Sequence, residues 1–255
     1  MSPEQCAEEL GQDHSTLLQQ YRFATQQALA RAGFLQTRSQ TVLQAAVLFL
    51  TCLRRPGDAE FVWTMTTAVY RLAQGLGLHR DGTHFGLTPF EIELRRRLWW
   101  SIYLLDSQSS ELHAIGTLIT ESCYDTKLLL NINGTDLSPE STTPPEERNE
   151  FTEMTFCLIR CEMTALCRRS FLNAHPAPGS SEGYTAHLLD ERLRQLEQIR
   201  THLHDRYLQY CDISIPAQWV TATVIRLTRW RRIRGPRGGP GFSNGIRNGM
   251  RWCSC

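Results

Sequence analysis

The sequence predicts an all-α protein. We expect a multi-helix domain that contains one long ordered loop, and we expect the domain to be truncated at its C-terminal end. Hydrophobic residues recur every three to four positions over most of the 255 residues, and no stretch shows the sustained alternation of a strand. Helix caps and stop signals divide this pattern into segments of ordinary helix length. With 41% hydrophobic residues, the chain can bury a sizeable core. We expect the helical domain over residues 15–228, after an N-terminal segment, residues 1–14, and before a tail, residues 229–255.

The first three helices are predicted from apolar stripes that end at glycine or proline. Residues 15–31 form the first, with Leu17 and Tyr21 on its apolar side and a glycine as its stop. Residues 41–54 form the second, which is apolar almost all round, as is typical of a core helix. Residues 59–75 form the third, whose apolar side chains are spaced by three or four positions.

A capping box marks the start of the longest predicted helix. Thr88 and Glu91 have the spacing of the box, and Pro89 fits the first turn, where its missing N–H costs nothing. This helix is expected to reach about residue 111. Residues 113–145 then lack a sustained period and are predicted to be a long ordered loop that packs on the domain or carries function.

Three further helices and a tail complete the prediction. The helices cover residues 146–172, residues 185–210 and a stretch that begins near Pro216. Six glycines and two prolines occur between positions 235 and 249, a composition that cannot bury a core. The tail is therefore predicted to be disordered and rich in arginine and glycine. It is either an RNA-binding or nuclear-targeting segment, or an artefact of the gene prediction such as a translated intron.

Charge and hydropathy exclude several classes of protein. The longest unbroken apolar run has six residues, whereas a membrane-spanning helix needs about 20. Four acidic residues among the first twenty are the opposite of a signal peptide. Eight arginines and no acidic residue follow Asp212, so the net charge of +1 leaves −7 on residues 1–212. We expect no membrane span, no secretion, and no binding of nucleic acid phosphates by the body of the chain.

The nine cysteines are interpreted as reduced thiols, because their number is odd, their spacing is irregular and no C-x-x-C occurs. Cys157 and Cys161 lie four positions apart, with Cys167 and His175 downstream, so a metal site remains an alternative to buried thiols. We expect no metal and no cofactor in this chain.

Three fragments that resemble catalytic motifs fail when they are read in full. His79-Arg80-Asp81 is similar to the catalytic loop of protein kinases, but Gly86 stands where the metal-binding asparagine is needed. Gly75-x-Gly77 ends a predicted helix, whereas a dinucleotide fingerprint opens one. The carboxylates of the long helix are expected to form a solvated face or to pair with arginines, and no pattern marks an acid and base pair. The sequence therefore predicts that the chain is not an enzyme.

The most specific feature is the order of motifs in residues 61–137. An aromatic amphipathic helix is followed by Gly-Leu-Gly-Leu-His-Arg-Asp at positions 75–81, then by Glu-x-Glu-x-Arg-Arg-Arg-x-Trp-Trp-x-x-Tyr-x-x-Asp at positions 91–106, then by Gly116. This order resembles the fungal-specific transcription factor domain, the helical regulatory region of zinc binuclear cluster regulators. The best match covers residues 41–140, and Arg-Arg-x-Trp-Trp is its most diagnostic part. In residues 128–137, Leu129 and Gly134 replace a proline and an aspartate of the family's loop pattern.

The resemblance implies a regulatory domain of a nuclear regulator of RNA polymerase II transcription. It implies that DNA is bound only through a zinc cluster module, that a homodimer or a heterodimer with a related regulator forms, and that the transcription machinery is a partner. The six clustered cysteines of that module are absent from this sequence, which suggests a domain truncated at both ends. The alternative is a stand-alone helical scaffold or partner-binding protein without a DNA reader.

Within the resemblance, ten residues form a candidate site for which two hypotheses stay open. In the first, Arg96 or Arg97 stacks on aromatic side chains and forks to Asp81 or Asp106, so that a helix-to-loop clamp holds residues 77–81 against the long helix. In the second, Trp99, Trp100 and Tyr103 line an effector pocket. Because the two tryptophans are adjacent and about 100° apart on a helix, at least one should be buried. The ten residues are Gly77, His79, Arg80, Asp81, Arg96, Arg97, Trp99, Trp100, Tyr103 and Asp106.

Overall fold

The structure is a computed structural model that describes residues 3–53, 56–113, 116–172 and 182–233. These residues form α-helices, short 3₁₀ turns and irregular segments and no strand, which confirms the all-α prediction. The chain divides into two compact units, residues 1–173 and residues 174–255. The first unit contains α1 Pro3–Leu10, α2 His14–Arg31, α3 Gln40–Cys52, α4 Ala59–Gly75, α5 Pro89–His113 and α6 Thr155–Leu172, and the second contains α7 Glu182–Arg206 and α8 Pro216–Ile233.

Helix α5 is the centre of the first unit and packs against α3, α4 and α6. It begins at the predicted capping box, where Thr88 Oγ1 accepts a hydrogen bond from the Glu91 amide at 3.3 Å and Glu91 Oε2 accepts one from the Thr88 amide at 3.0 Å. Thirteen of its side chains are buried, so α5 is a core helix over most of its length. None of the described helices combines the length and the apolarity that spanning a membrane requires.

The described residues between α5 and α6, 116–154, contain no α-helix, so the predicted long loop is present but continues to residue 154. The sequence prediction of a helix from residue 146 is therefore wrong by nine residues. The side-chain amide of Asn131 donates to the carbonyl oxygens of Arg148 and Glu150 at 2.7 and 3.0 Å. Because these contacts hold the segment in an irregular conformation, α6 begins only at Thr155.

Other boundaries differ by smaller amounts. The N-terminal segment, for which no element was predicted, contains α1, and Pro3 occupies its first helical position. The predicted tail begins at residue 229. Helix α8 nevertheless continues to Ile233, because the first glycine after the start of this helix comes only at position 235. Residues 234–255, which hold the rest of that tail, lie outside the described residues.

Candidate functional site

The carboxylate of Asp81 joins three segments of the first unit. Arg96 of α5 donates to it through Nε and Nη2, both at 2.9 Å, and the two side chains are 10% and 1% exposed. The Lys127 amide of the long loop donates at 3.0 Å, and the Thr83 hydroxyl donates at 2.8 Å. Bidentate geometry of this kind is the strongest that an arginine and a carboxylate form. Of the two partners that the sequence left open for Arg96 and Arg97, Asp81 binds Arg96.

The reversal of the chain at Gly77 brings Asp81 to α5. Gly77 has φ +69°, and the amides of Gly77 and Leu78 donate back to Gln74 and Ala73 at 2.9 Å, which is a Schellman ending of α4. A side chain at Gly77 would be strained because this backbone region is unfavourable for L residues. Gly77 therefore positions the segment that carries Asp81.

The Asp81 carboxyl is held in its charged form. Its burial favours the neutral form, but hydrogen bonds from Arg96, the Lys127 amide and Thr83 outweigh this, so its pKa lies well below the usual range. The buried Arg96 guanidinium thus faces a carboxylate that stays ionised.

The two residues before Asp81 make contacts of their own. Arg80 contacts the long loop, and His79 contacts an aromatic residue of α5. Arg80 forms an ion pair with Asp125 at 2.9 Å, and Asp125 also accepts a hydrogen bond from the Asp81 amide at 2.8 Å. The His79 ring lies against Trp99, with 6.4 Å between the ring centroids. Burial first, and the nearby Arg80 charge second, lower the pKa of His79.

Arg97 binds Glu93 and reaches neither Asp81 nor Asp106. Its Nε donates to Glu93 Oε1 at 2.8 Å, one turn earlier on α5. Glu93 is 1% exposed and also accepts a hydrogen bond from the Leu130 amide of the loop at 3.2 Å. Burial raises the pKa of Glu93, and the contacts with Arg97 and Leu130 offset this only in part.

Asp106 binds an arginine that the sequence interpretation did not single out. It accepts hydrogen bonds from the amides of Leu118 and Ile119, both at 3.1 Å, and from Arg168 of α6 at 3.2 Å. The Arg168 guanidinium also lies 4.1 Å from the centroid of the Tyr103 ring. Arg168 is separated from Asp106 by 62 positions, so no local pattern could have paired them.

The three aromatic residues of the candidate site are all buried in a cluster with Tyr124. Trp99 and Tyr103 are 0% exposed and Trp100 is 3% exposed. The centroid of the Tyr124 ring lies 5.5, 5.8 and 5.9 Å from those of Trp99, Trp100 and Tyr103. Trp100 Nε1 donates to the Lys127 carbonyl and the Tyr103 hydroxyl donates to Glu121, each at 2.8 Å.

A cavity of about 300 Å³ lies beside this cluster, between residues 121–128 of the loop and α6. Trp100 contributes to its wall, whereas Trp99 and Tyr103 do not. The cavity therefore differs from the pocket that the second sequence hypothesis described, and most of its wall comes from residues that the sequence did not single out.

The part of the chain that the structure describes does not fit a zinc site. It places no group of three or more His, Cys, Asp or Glu side chains where they could hold a metal. Cys157 and Cys161 are neighbours on α6, and the hydrogen bond from Cys161 lowers the pKa of Cys157 to about 7. His175 lies outside the described residues.

Comparison with known proteins identifies the family. The sequence profile described as the fungal specific transcription factor domain matches residues 2–232. The chain is 32% identical over 224 residues to the aurofusarin cluster transcription factor of Gibberella zeae, with 87% of this chain and 33% of that protein covered. It is 33% identical over 241 residues to a C6 finger domain transcription factor of Aspergillus fumigatus, with 86% of this chain and 31% of that protein covered.

A third relative is the pyriculol/pyriculariol biosynthesis cluster transcription factor 1 of Pyricularia oryzae, which is 36% identical over 159 residues, 62% of this chain and 21% of that protein. The chain thus spans a fifth to a third of the length of these relatives. No solved structure matches the chain. The profile covers most of the chain and the relatives agree with it, so the resemblance found in the sequence is confirmed. The chain belongs to the fungal specific transcription factor domain family.

Proposed function

We propose that this chain is the regulatory domain of a nuclear regulator of RNA polymerase II transcription, acting through an attached or partner zinc cluster module that binds DNA. Its family membership makes it a domain of fungal transcription regulators. In this proposal the domain also forms a homodimer, or a heterodimer with a related regulator, and it contacts the transcription machinery. The names of two relatives refer to biosynthetic gene clusters, so genes of such a cluster are the first targets to examine.

One observation supports a structural and regulatory role for the candidate site. Three buried carboxylates, those of Asp81, Glu93 and Asp106, each accept hydrogen bonds from backbone amides of the long loop. Each is also paired with an arginine. The residues that identify the family therefore hold the loop on α5. In this proposal the loop is regulated by release from these buried pairs, which gives the domain the two discrete states, loop bound and loop released, that a switch requires.

A reporter experiment tests this proposal. The full chain is fused to an unrelated DNA-binding module and expressed with a reporter gene that carries the matching site. We expect the fusion to change transcription, and we expect Asp81→Asn to alter that response while the exposed control Arg38→Ala leaves it unchanged. A fusion that is expressed at normal levels and leaves the reporter unchanged would favour the scaffold alternative.

The unfused chain provides the second test. Because residues 1–212 carry a net charge of −7, we expect only weak DNA binding without sequence preference, which fades as salt increases. Zinc belongs to the DNA-binding module in this proposal, so elemental analysis of the chelator-washed chain is expected to find none in stoichiometric amount. A salt-resistant, site-specific mobility shift by the chain alone would contradict the proposal that DNA is bound by the zinc cluster module and not by this chain.

The stand-alone scaffold remains a second candidate because large apolar side chains are exposed on α2 and α3. The aromatic side chains of Tyr21 and Phe23 on α2 are each 63% exposed, and Leu48 on α3 is 66% exposed. Tyr21 and Phe23 are two positions apart and face different sides of α2, so these side chains offer separate contact points to a partner and do not form one continuous patch. The reporter fusion separates the two candidates, since a scaffold without a DNA reader has no reason to change transcription when it is tethered.

A further inference from the structure

Two cysteines lie side by side at the start of α6. Cys157 and Cys161 are about one turn apart on the helix, and their thiols share a hydrogen bond. Cys161 is 0% exposed, whereas Cys157 is only half-buried and reaches solvent. The pair therefore combines one thiol that a small solute can reach with a second thiol that is shielded from solvent and in contact with the first.

The surroundings of Cys157 favour its thiolate. The hydrogen bond from Cys161 has the largest effect in lowering the pKa of Cys157. The guanidinium groups of Arg160 and Arg97 lower this pKa further, against the opposing effects of burial and of Glu93. Arg97 Nη2 is buried and has no hydrogen-bond partner among the described residues. Because the thiolate is the form of cysteine that reacts with oxidants, Cys157 is the more reactive thiol of the pair.

Cys161 has the opposite environment. Burial raises the pKa of Cys161, and the neighbouring Cys157 raises it further, so Cys161 keeps its proton when Cys157 loses one. A reactive thiolate beside a second thiol is the arrangement in which an oxidised sulfur is attacked by its neighbour to form a disulfide. The two environments thus assign the two cysteines to successive steps of one oxidation.

A disulfide between the two residues requires a small change at the start of α6. Cβ atoms one turn apart on a helix are separated by about 5–6 Å, and a disulfide requires about 4 Å. Cys157 is the third residue of α6, and amides at the start of a helix have no intrahelical acceptor. The first turn can therefore move more easily than the centre of the helix. The strain that remains makes the disulfide easy to reduce again, as a reversible modification requires.

We propose that Cys157 and Cys161 are a site of reversible oxidation by a hydroperoxide. With hydrogen peroxide, the Cys157 thiolate attacks one oxygen, a sulfur–oxygen bond forms, the oxygen–oxygen bond breaks and hydroxide leaves. The Cys161 thiol then attacks the sulfur of this sulfenic acid, the disulfide forms, and the hydroxyl group leaves with the thiol proton as water. Two thiols are oxidised to a disulfide, and the peroxide is reduced to hydroxide and water.

The oxidation changes a turn that holds the long loop. Thr155 lies two positions before Cys157, and its hydroxyl donates to Asn131 Oδ1 at 2.9 Å and accepts from the Thr152 amide at 2.7 Å. A disulfide that draws Cys157 toward Cys161 displaces this turn, so we expect oxidation to loosen the loop. That regulatory consequence rests on the proposed function, whereas the oxidation itself does not.

Treatment of the reduced full chain with a small molar excess of hydrogen peroxide tests the site. Trypsin cuts after Arg160, between the two cysteines, so we expect the disulfide to join two tryptic peptides that are separate in the reduced chain. Dithiothreitol should separate them again. Cys52 of α3, which is fully exposed, is the matched control. Because exposure alone does not create a thiolate, Cys157 should react about tenfold faster than Cys52 or more.

Three variants separate the two steps, each read in protein that melts as a folded chain. Cys157→Ser should abolish the disulfide. Cys161→Ser should accumulate a sulfenic acid at Cys157, which dimedone traps, because the second thiol is missing. Cys167→Ser removes the other cysteine of the tryptic peptide that contains Cys161, and it should still form the disulfide.

Three results would overturn the proposal. They are reaction of Cys157 no faster than that of Cys52, a disulfide that forms equally in Cys157→Ser, and oxidation of Cys157 that dithiothreitol does not reverse. If the disulfide forms and peroxide leaves the output of the reporter fusion unchanged, the oxidation site stands and its regulatory role fails. If the fusion is active and no disulfide forms, the oxidation site fails and the proposed function stands.

Discussion

Helices α2 and α5 have similar starts and opposite surroundings. Both begin with a side-chain cap, from Asp13 in α2 and from Thr88 in α5. Leu17 is the only buried side chain of α2, and Tyr21, which the sequence placed on its apolar side, is 63% exposed. Helix α5 instead buries charged residues, among them Glu93, because backbone amides and arginines satisfy them. The two helices have nearly the same share of apolar residues, so hydrophobicity alone does not separate them, and the contacts of α5 with the loop and with other helices do.

The largest expected difference between the helices comes from truncating one aromatic side chain on each. Trp99→Ala on α5 removes a fully buried indole and should lower the free energy of unfolding by about 3–5 kcal/mol. Phe23→Ala on α2, where the ring is 63% exposed, should change it by less than about 0.5 kcal/mol. Urea unfolding of the two variants beside the parent measures both. Equal losses would show that α2 is covered in solution.

Breaking the buried ion pair between Asp81 and Arg96 should lower the free energy of unfolding by a similar or slightly smaller amount. Asp81→Asn leaves the Arg96 guanidinium buried without its counter-charge and should cost about 3–5 kcal/mol at pH 7. Asp136→Asn, which breaks the more exposed pair with Arg148, should cost much less.

The pH dependence sharpens this prediction. Because the folded pKa of Asp81 lies below its unfolded value of about 3.9, the carboxylate stabilises the fold above that pH and loses this contribution as the pH falls further. The difference between parent and Asp81→Asn should therefore be constant from pH 7 to about pH 5 and shrink below about pH 4. A difference that is the same at all pH values would mean that the lost stability does not come from the charge.

A third comparison lies within the loop and should give a moderate effect. The Asn131 side chain donates to two carbonyl oxygens and accepts from the hydroxyls of Thr152 and Thr155 at 2.8 and 2.9 Å. Asn131→Ala should cost about 1–3 kcal/mol because buried groups lose their partners. Asn149→Ala, an exposed asparagine of the same loop, should change the free energy of unfolding by less than about 0.5 kcal/mol. If the two variants unfold alike, the loop is not held through Asn131.

The smallest expected effect concerns the cap of α2. Asp13 accepts hydrogen bonds from the amides of Ser15 and Thr16, so Asp13→Ala should increase fraying of the first turn of α2. Amide hydrogen exchange should accelerate there and remain unchanged in α5. Faster exchange in α5 as well would show that the two helices unfold as one unit.

Much of the fold could be predicted because its signals are local. The capping box at Thr88 and the stop at Gly77 are contained in a few residues each, and the structure places helix ends there. The family resemblance also depended on motifs within one stretch of the chain. The start of α6 could not be predicted, because the carbonyl oxygens that Asn131 engages lie 17 and 19 positions away.

The pairing of the arginines was beyond the sequence for a geometric reason. Arg96 and Arg97 differ by about 100° around α5, so one reaches Asp81 on another segment and the other reaches Glu93 on its own helix. Either assignment was compatible with the sequence. Lys127, which meets both the Asp81 cluster and the cavity, is an isolated residue in a stretch without periodicity, and no pattern marks it.

Because the chain has a single lysine, which lies in the long loop, opening of this loop can be measured by proteolytic cleavage at one peptide bond. A protease that cuts after lysine can cleave this chain only once, into pieces of 127 and 128 residues. The peptide to be cut is held on both sides in the folded protein, since the Lys127 amide donates to Asp81 and its carbonyl accepts from Trp100. Cleavage therefore requires the loop to open, and when opening and closing are fast the cutting rate reports the population of the open form. The equilibrium between a held and a released loop can thus be followed on the unlabelled protein as the appearance of a single fragment pair.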